Sequence, residues 1–302
     1  MSSGPSPSHV ENYDASKFWV APARNFRTSA RLHLQHFLFQ NTLGPLLDPT
    51  IENTLTVSPQ HLKVADLACG NGIWLTELHT HFAKNNIPAQ LDGFDINPVN
   101  FPSSAFLPDG VSFRQLDILA EPLPAELIGA YDIIHIRAFV SVIPDSNLTP
   151  ILTAASTLLK PGGLLQWDES RGDRWTVESP SPSVSSTACT SIVHILNGGM
   201  QQRGIRYEWV DSLDAELAQF GFQDALLRVR EKRRQDFKGW TEDYLMVWEE
   251  LADLFPPKAQ APNAPISREA WVDLFAGAVK ETEQGVVVHQ GRIVVAVGRK
   301  GQ

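Results

Sequence analysis

Between residues 62 and 168 the chain alternates short apolar runs (LKVADLA, QLDGFDI, VSFRQLD, YDIIHIR and GLLQWDE) with helical or irregular connections. Strands that alternate with helices predict a parallel sheet covered on both faces, so the expected class is doubly wound α/β. Upstream, the segment from Thr28 to Phe39 has apolar groups at 32, 34, 37, 38 and 39 behind a Thr/Ser cap. That spacing predicts a helix ending near Gly44-Pro45. Residues 1–12, rich in Ser, Pro and Gly, are expected to be loosely ordered. Residues 13–60 are too few to bury a core of their own, so they are expected as a helical flap on a sheet domain spanning 61–302.

After the fifth apolar run the alternation stops. A polar stretch containing SPSPSVSSTACTS precedes the apolar segment IVHILNGGM, which predicts a partly helical cap inserted over about 170–210, at the ligand edge of the sheet. DSLDAELAQF then predicts a sheet-packing helix and GFQDALLRVREKR a strand. The stretch 241–282 holds two amphipathic helices, and VVVHQGRIVVAVGRK closes the chain. No period between about 20 and 50 residues repeats, which excludes a solenoid.

Ligands of open α/β sheets bind beyond the carboxyl ends of the strands, and the first strand-to-helix turn is the usual anchor. ACGNG occupies that turn. Gly70 and Gly72 tolerate positive φ and let backbone amides approach a ligand. Asp66 lies within the first strand, where its carboxylate needs a polar partner. Asp95 closes the second strand, where an acid can accept both hydroxyls of a ribose. Asp117 closes the third, where an acceptor can take an exocyclic amine. A glycine turn beside three such acids outweighs the reading of any one acid as a helix cap. A dinucleotide is disfavoured, because Ile73 stands where its third glycine would be.

Taken together, these segments resemble the class I S-adenosylmethionine-dependent methyltransferases. DLACGNG (Asp66, Ala68, Cys69, Gly70, Asn71, Gly72) is similar to the family's first motif, GFDIN (Asp95, Ile96) to its ribose motif, and FRQLDI (Asp117, Ile118) to its adenine motif. The resemblance spans about residues 60–170 and implies a Rossmann-like methyltransferase sheet with S-adenosylmethionine as cofactor. One position departs from the pattern: Ala68 stands where the family has its first loop glycine, and φ there is expected to stay negative. SARLHLQHFLFQNTLGPLLDPTI, YDIIHIRAF and LLQWDES further resemble fungal methyltransferases of secondary metabolism, which implies a small natural-product acceptor.

Methyl transfer from a sulfonium is an in-line displacement on an activated carbon, so alignment and exclusion of water dominate and a base is optional. Oxygen is the first-choice acceptor, with nitrogen and sulfur next. The candidate bases are His135 in the fourth strand, His36 on the N-terminal helix and His194 in the insertion. Arg137 and Arg31 are candidates for the cofactor's carboxylate. Trp167, Trp175, Trp240, Tyr244 and Trp248 are either core or the walls of a pocket for a flat acceptor. Asp168 and Glu169 either face that pocket or cap a turn.

Composition narrows the partners. A formal charge of -9 removes the basic footprint that nucleic acid requires. Two cysteines make no disulfide framework, and no Cys/His cluster has zinc spacing, so no metal is expected. Without a signal-like start or a long apolar run, neither membrane nor secretion is expected, and the setting is read as cytoplasmic. Two rival readings stay open: a fold that uses the cofactor without transferring its methyl group, and a regulatory or interaction protein.

Overall fold

The computed structural model describes residues 25–55, 61–143 and 146–302; the expected loose segment 1–12 lies outside them. Helix α1 (Phe26–Leu43) starts at Asn25, whose side chain accepts from the amides of Arg27 and Thr28, and stops at Gly44, where φ is 86°. After α2 (Pro49–Leu55) the strands β1 (Leu62–Leu67), β2 (Ala89–Asp95), β3 (Val111–Gln115), β4 (Tyr131–Arg137) and β5 (Leu159–Glu169) follow, with α3 (Ile73–Lys84) and α4 (Thr149–Leu158) between them. Next come β6 (Thr176–Glu178), α5 (Thr187–Gln202), α6 (Leu213–Phe220), β7 (Gln223–Glu231), α7 (Phe237–Glu250), α8 (Arg268–Glu283), β8 (Val287–His289) and β9 (Arg292–Arg299).

Among the described residues the main sheet runs β3-β2-β1-β4-β5-β9-β7. Order reverses between β1 and β4, which creates the crevice at which such sheets bind ligands. β1 to β5 pair parallel, as the alternation predicts. β9 runs antiparallel between β5 and β7, a departure from the all-parallel expectation. The cause is its point of entry. The chain reaches β9 from β8 and the helices that sit over the carboxyl edge, so it enters the sheet from that edge. A second difference is the length of the fifth strand: β5 starts before the GLLQWDE run and includes LKPGG.

One apolar core, with Ile134, Ile136, Trp167 and Leu213, lies under α4 and α6; a second, with Val64, Trp74, Leu75 and Phe82, lies under α3. A third fills the space between α1, α5, α7 and α8 and is built on Trp240, Trp248, Trp271 and Phe39. Glu281 of α8 ties it together, accepting from the amides of Ala188 and Cys189 and the hydroxyl of Ser185 at the start of α5. This helical layer stands over the carboxyl edge and roofs the crevice. Among the described residues no helix is long and apolar enough to cross a membrane.

Candidate functional site

The turn after β1 is held by its neighbours. Cys69 N donates to Phe94 O (2.9 Å), and Gly70 N donates to Asp95 Oδ2 (2.9 Å), which fastens the turn to the end of β2. Ala68, Gly70 and Gly72 all have positive φ, at 58°, 58° and 74°. The negative φ expected at Ala68 is therefore wrong: the residue keeps the left-handed backbone of the glycine it replaces, because the bond from Cys69 fixes the path. Gly72 cannot be replaced so easily, since a Cβ there would lie 2.2 Å from the ring of Phe113. Helix α1 lies on this turn, with Asn71 Nδ2 donating to Ser29 O (2.9 Å).

A cavity of about 280 Å³ opens from the turn toward the helical roof. Ala68, Gly70, Asp95, Ile96, Asp117 and Ile118 line its sheet side, joined by Arg31 of α1 and Arg137 after β4. Glu169, Trp175, Trp240, Asp243, Tyr244 and Gln290 line the far side. Asp95 is buried and its Oδ1 accepts from Asn97 N (2.9 Å), while exposed Asp117 accepts from Leu119 N (3.0 Å). Arg31 is buried 3.7 Å from Asp243, and its Nε has no hydrogen-bond partner. The remaining loop candidates, Asp66, Cys69, Asn71 and Gly72, do not line the cavity; they shape the turn from beneath or behind.

All three histidine candidates fall away from the cavity. His135 is fully buried, with Nδ1 2.7 Å from Asp66 Oδ1, Nε2 3.2 Å from Asp168 Oδ2 and its ring stacked on Trp74 at 3.7 Å. No lone pair faces a ligand, so His135 is a pillar under the floor and not a base. His36 is buried; burial first, and then the Arg137 guanidinium that donates to its Nδ1 (3.2 Å), push it down to about 3, too weak to hold a proton at neutral pH. His194 is exposed on α5. Of the aromatic candidates, Trp167 and Trp248 belong to the core: Trp167 packs on Trp209, and Trp248 O accepts from Trp271 Nε1.

Arg137 and Asp168 form the floor's closest ion pair (2.6 Å). Burial works against the Asp168 charge, but Arg137 and His135 outweigh it and hold the carboxyl below its ordinary range. Glu169, one residue on, accepts from the amides of Phe139 and Val140 and from Trp167 Nε1 through Oε2, and from Ser170 N through Oε1. Burial nevertheless pushes it up to about 7.

Two charged groups at the roof escape the sequence reading. Asp243, between Trp240 and Tyr244, is fully buried and raised by burial, with Arg31 and Gln35 opposing. Lys232 is buried, and burial lowers it to about 7 against the pull of Asp243 and Glu169. Its Nζ lies 3.6 Å from the centre of the Trp240 ring and donates to Tyr244 Oη (3.0 Å). A signal for Lys232 exists in the sequence. It follows the carboxyl end of a strand, the same placement that singles out Asp95 and Asp117.

A family model described as a methyltransferase domain matches residues 34–226, and the chain belongs to that family. It is 33% identical to methyltransferase grgD of a Penicillium species over 63% of this chain and 65% of that protein. N-methyltransferase verN of Clonostachys rogersoniana is 27% identical over 48% of this chain and 47% of its own length. A ubiquinone biosynthesis O-methyltransferase of Colwellia psychrerythraea is 32% identical over 34% of this chain and 40% of its own. The chain thus spans two thirds or less of the length of these relatives.

Proposed function

We propose that the chain transfers the methyl group of S-adenosylmethionine to a small natural-product acceptor, with a hydroxyl oxygen as the first-choice nucleophile. The observation that carries this reading is one cavity with two chemically distinct ends, a Gly70-Asp95-Asp117 end on the sheet and a Trp175-Trp240-Tyr244 end under the roof.

The residues fit the cofactor. Asp95 would accept the ribose hydroxyls and Asp117 the adenine amine, with Ile96 and Ile118 against the ring and the backbone of Ala68 and Gly70 along the amino-acid part. Arg31 is the better partner for the carboxylate, because its Nε is a buried donor without an acceptor, whereas Arg137 already spends Nε and Nη2 on Asp168. Bound there, the sulfonium supplies a methyl carbon that needs no further activation. The chain aligns the acceptor and excludes water: α1 covers the turn, and the segments 170–210 and 241–282 act as the cap. A cytosolic setting and an acceptor that is neither nucleic acid nor membrane accompany this reading. Nitrogen is the second-choice nucleophile, favoured by the likeness to verN.

Calorimetric titration with S-adenosylmethionine and S-adenosylhomocysteine tests the site, followed by a screen of phenolic and amine metabolites for a mass gain of one methylene. Micromolar binding of both and a mass gain on a phenol are expected. No binding of either overturns the reading.

A further inference from the structure

None of the three histidine candidates lines the cavity. Tyr244 lines the cavity, and its Oη accepts from Lys232 Nζ (3.0 Å) and donates to Gln290 Oε1 (3.1 Å). Ser170 Oγ donates to the same Gln290 oxygen (3.0 Å), which fixes the amide and therefore the phenol. Lys232 sits behind Tyr244, away from the cavity wall. We propose that Tyr244 and Lys232 form a relay that removes the acceptor's proton, Tyr244 touching the acceptor as the catalytic residue and Lys232 acting through it. This rests on the methyltransferase reading above.

The step balances as follows. The acceptor's O–H oxygen forms a bond to the methyl carbon while the carbon–sulfur bond breaks and its electron pair stays on sulfur. The acceptor proton passes to Tyr244 Oη as the tyrosine's own proton, swung from Gln290, passes to neutral Lys232 Nζ. No tyrosinate accumulates, so the burial that raises the Tyr244 phenol well above its usual value is no obstacle. The ammonium formed at Lys232 lies over the Trp240 ring, faces Asp243 and Glu169, and later returns its proton to water.

The groups that face Lys232 set its titration. Tyr244, Trp240 and Asp243 come from α7, Glu169 from the end of β5, and Arg31 acts at one remove through Asp243. Burial dominates, and it leaves the amine able to exchange a proton near neutrality. Glu169 is the other cavity group of suitable strength, but its oxygens already hold the four donors that shape the loop at Phe139 and Val140.

Two measurements on the full chain test the relay. The first is a carbon NMR titration with lysine labelled at Cε, in the wild type and in Lys232→Met. One lysine signal with a midpoint near 7, absent from the variant, is expected; if every lysine titrates above about pH 9, the relay is overturned. The second uses 4-nitrophenol as an acceptor probe in the presence of S-adenosylhomocysteine and reads the phenolate absorbance that appears on binding. The signal is expected to fall at least tenfold in Lys232→Arg, which puts a permanent cation there that cannot take a proton, and in Tyr244→Phe. A signal unchanged in both, or absent from the wild type, overturns the relay. Calorimetry with S-adenosylhomocysteine separates the two failures: a normal titration here with the relay signals missing sinks only the relay, and no binding sinks the methyltransferase reading.

Discussion

Removing His135 is expected to destabilise the fold strongly. In His135→Ala the carboxylate of Asp66, 4% exposed and hydrogen-bonded to His135 Nδ1, is left with no partner in the sheet, whereas Asp168 keeps Arg137 and Gln166. Leaving one buried charge unpaired costs about 3–5 kcal/mol. The ring also leaves a gap beside Trp74, on which it stacks at 3.7 Å. A loss of about 4 kcal/mol is a large share of the roughly 5–15 kcal/mol typical of a folded domain. Denaturant unfolding at neutral pH measures it. Asp66→Asn, which removes the charge and keeps an amide to bond the ring, is expected to lose only about 1 kcal/mol. Joining Asp66→Asn to His135→Ala removes the stranded charge, so the double variant is expected to be more stable than His135→Ala alone by about 2 kcal/mol. A loss under about 1 kcal/mol in His135→Ala, or no recovery in the double variant, would refute the pillar role.

Three further outcomes test the site. Asp95→Ala is expected to weaken S-adenosylhomocysteine binding roughly a hundredfold by calorimetry, from the loss of charge-assisted bonds to two hydroxyls at about 1.5 kcal/mol each; a change below about fivefold contradicts the ribose assignment. Ala68→Gly relieves a left-handed alanine and is expected to raise stability by up to about 1 kcal/mol in thermal unfolding, so a clear loss contradicts the backbone argument. Glu169, raised in the fold from 4.5 to about 7, holds its proton longer in the native state. That stability is full below 4.5 and is lost as pH rises through about 7, so Glu169→Gln is expected to flatten the stability profile between those values. An unchanged slope in a denaturation series across that range would count against it.

The layers of the sheet were legible because apolar runs of strand length separated by helical spacing admit few other architectures. The position of Gly70, Asp95 and Asp117 beside the cavity was legible for a related reason: a strand's carboxyl end is a position in sequence as well as in space. What could not be read is lateral. Asp66 faces His135, and Arg137 faces Asp168, because β1, β4 and β5 pair in the registers Asp66↔His135 and Arg137↔Asp168. Nothing within one strand states the register of the next, so a histidine at a promising strand end looked like a base while its neighbours were claiming both ring nitrogens. Trp167 and Trp248 could not be told from pocket walls for the same reason, since which face of a strand or helix meets the cavity depends on what packs opposite.

Register also accounts for the placing of charge. The parallel strands carry their acids and Arg137 to one edge, where an extended chain of polar contacts, Asp66-His135-Asp168-Arg137, runs along the cavity floor. Each member is held by the next, so the floor keeps its shape without lending a proton acceptor to the cavity. The roof differs. Asp243, Tyr244 and Lys232 arrive on α7 and the end of β7, set in a core of tryptophans that strips them of water, and burial pushes Asp243 up and Lys232 down. A fixed floor suits the binding of one constant ligand, and a titratable roof suits a partner that must give up a proton. On the proposed methyltransferase reading, the sheet edge would hold the cofactor and the helical layer the acceptor, and Lys232, which lies outside the 34–226 segment that matches the family model, would take up the acceptor's proton.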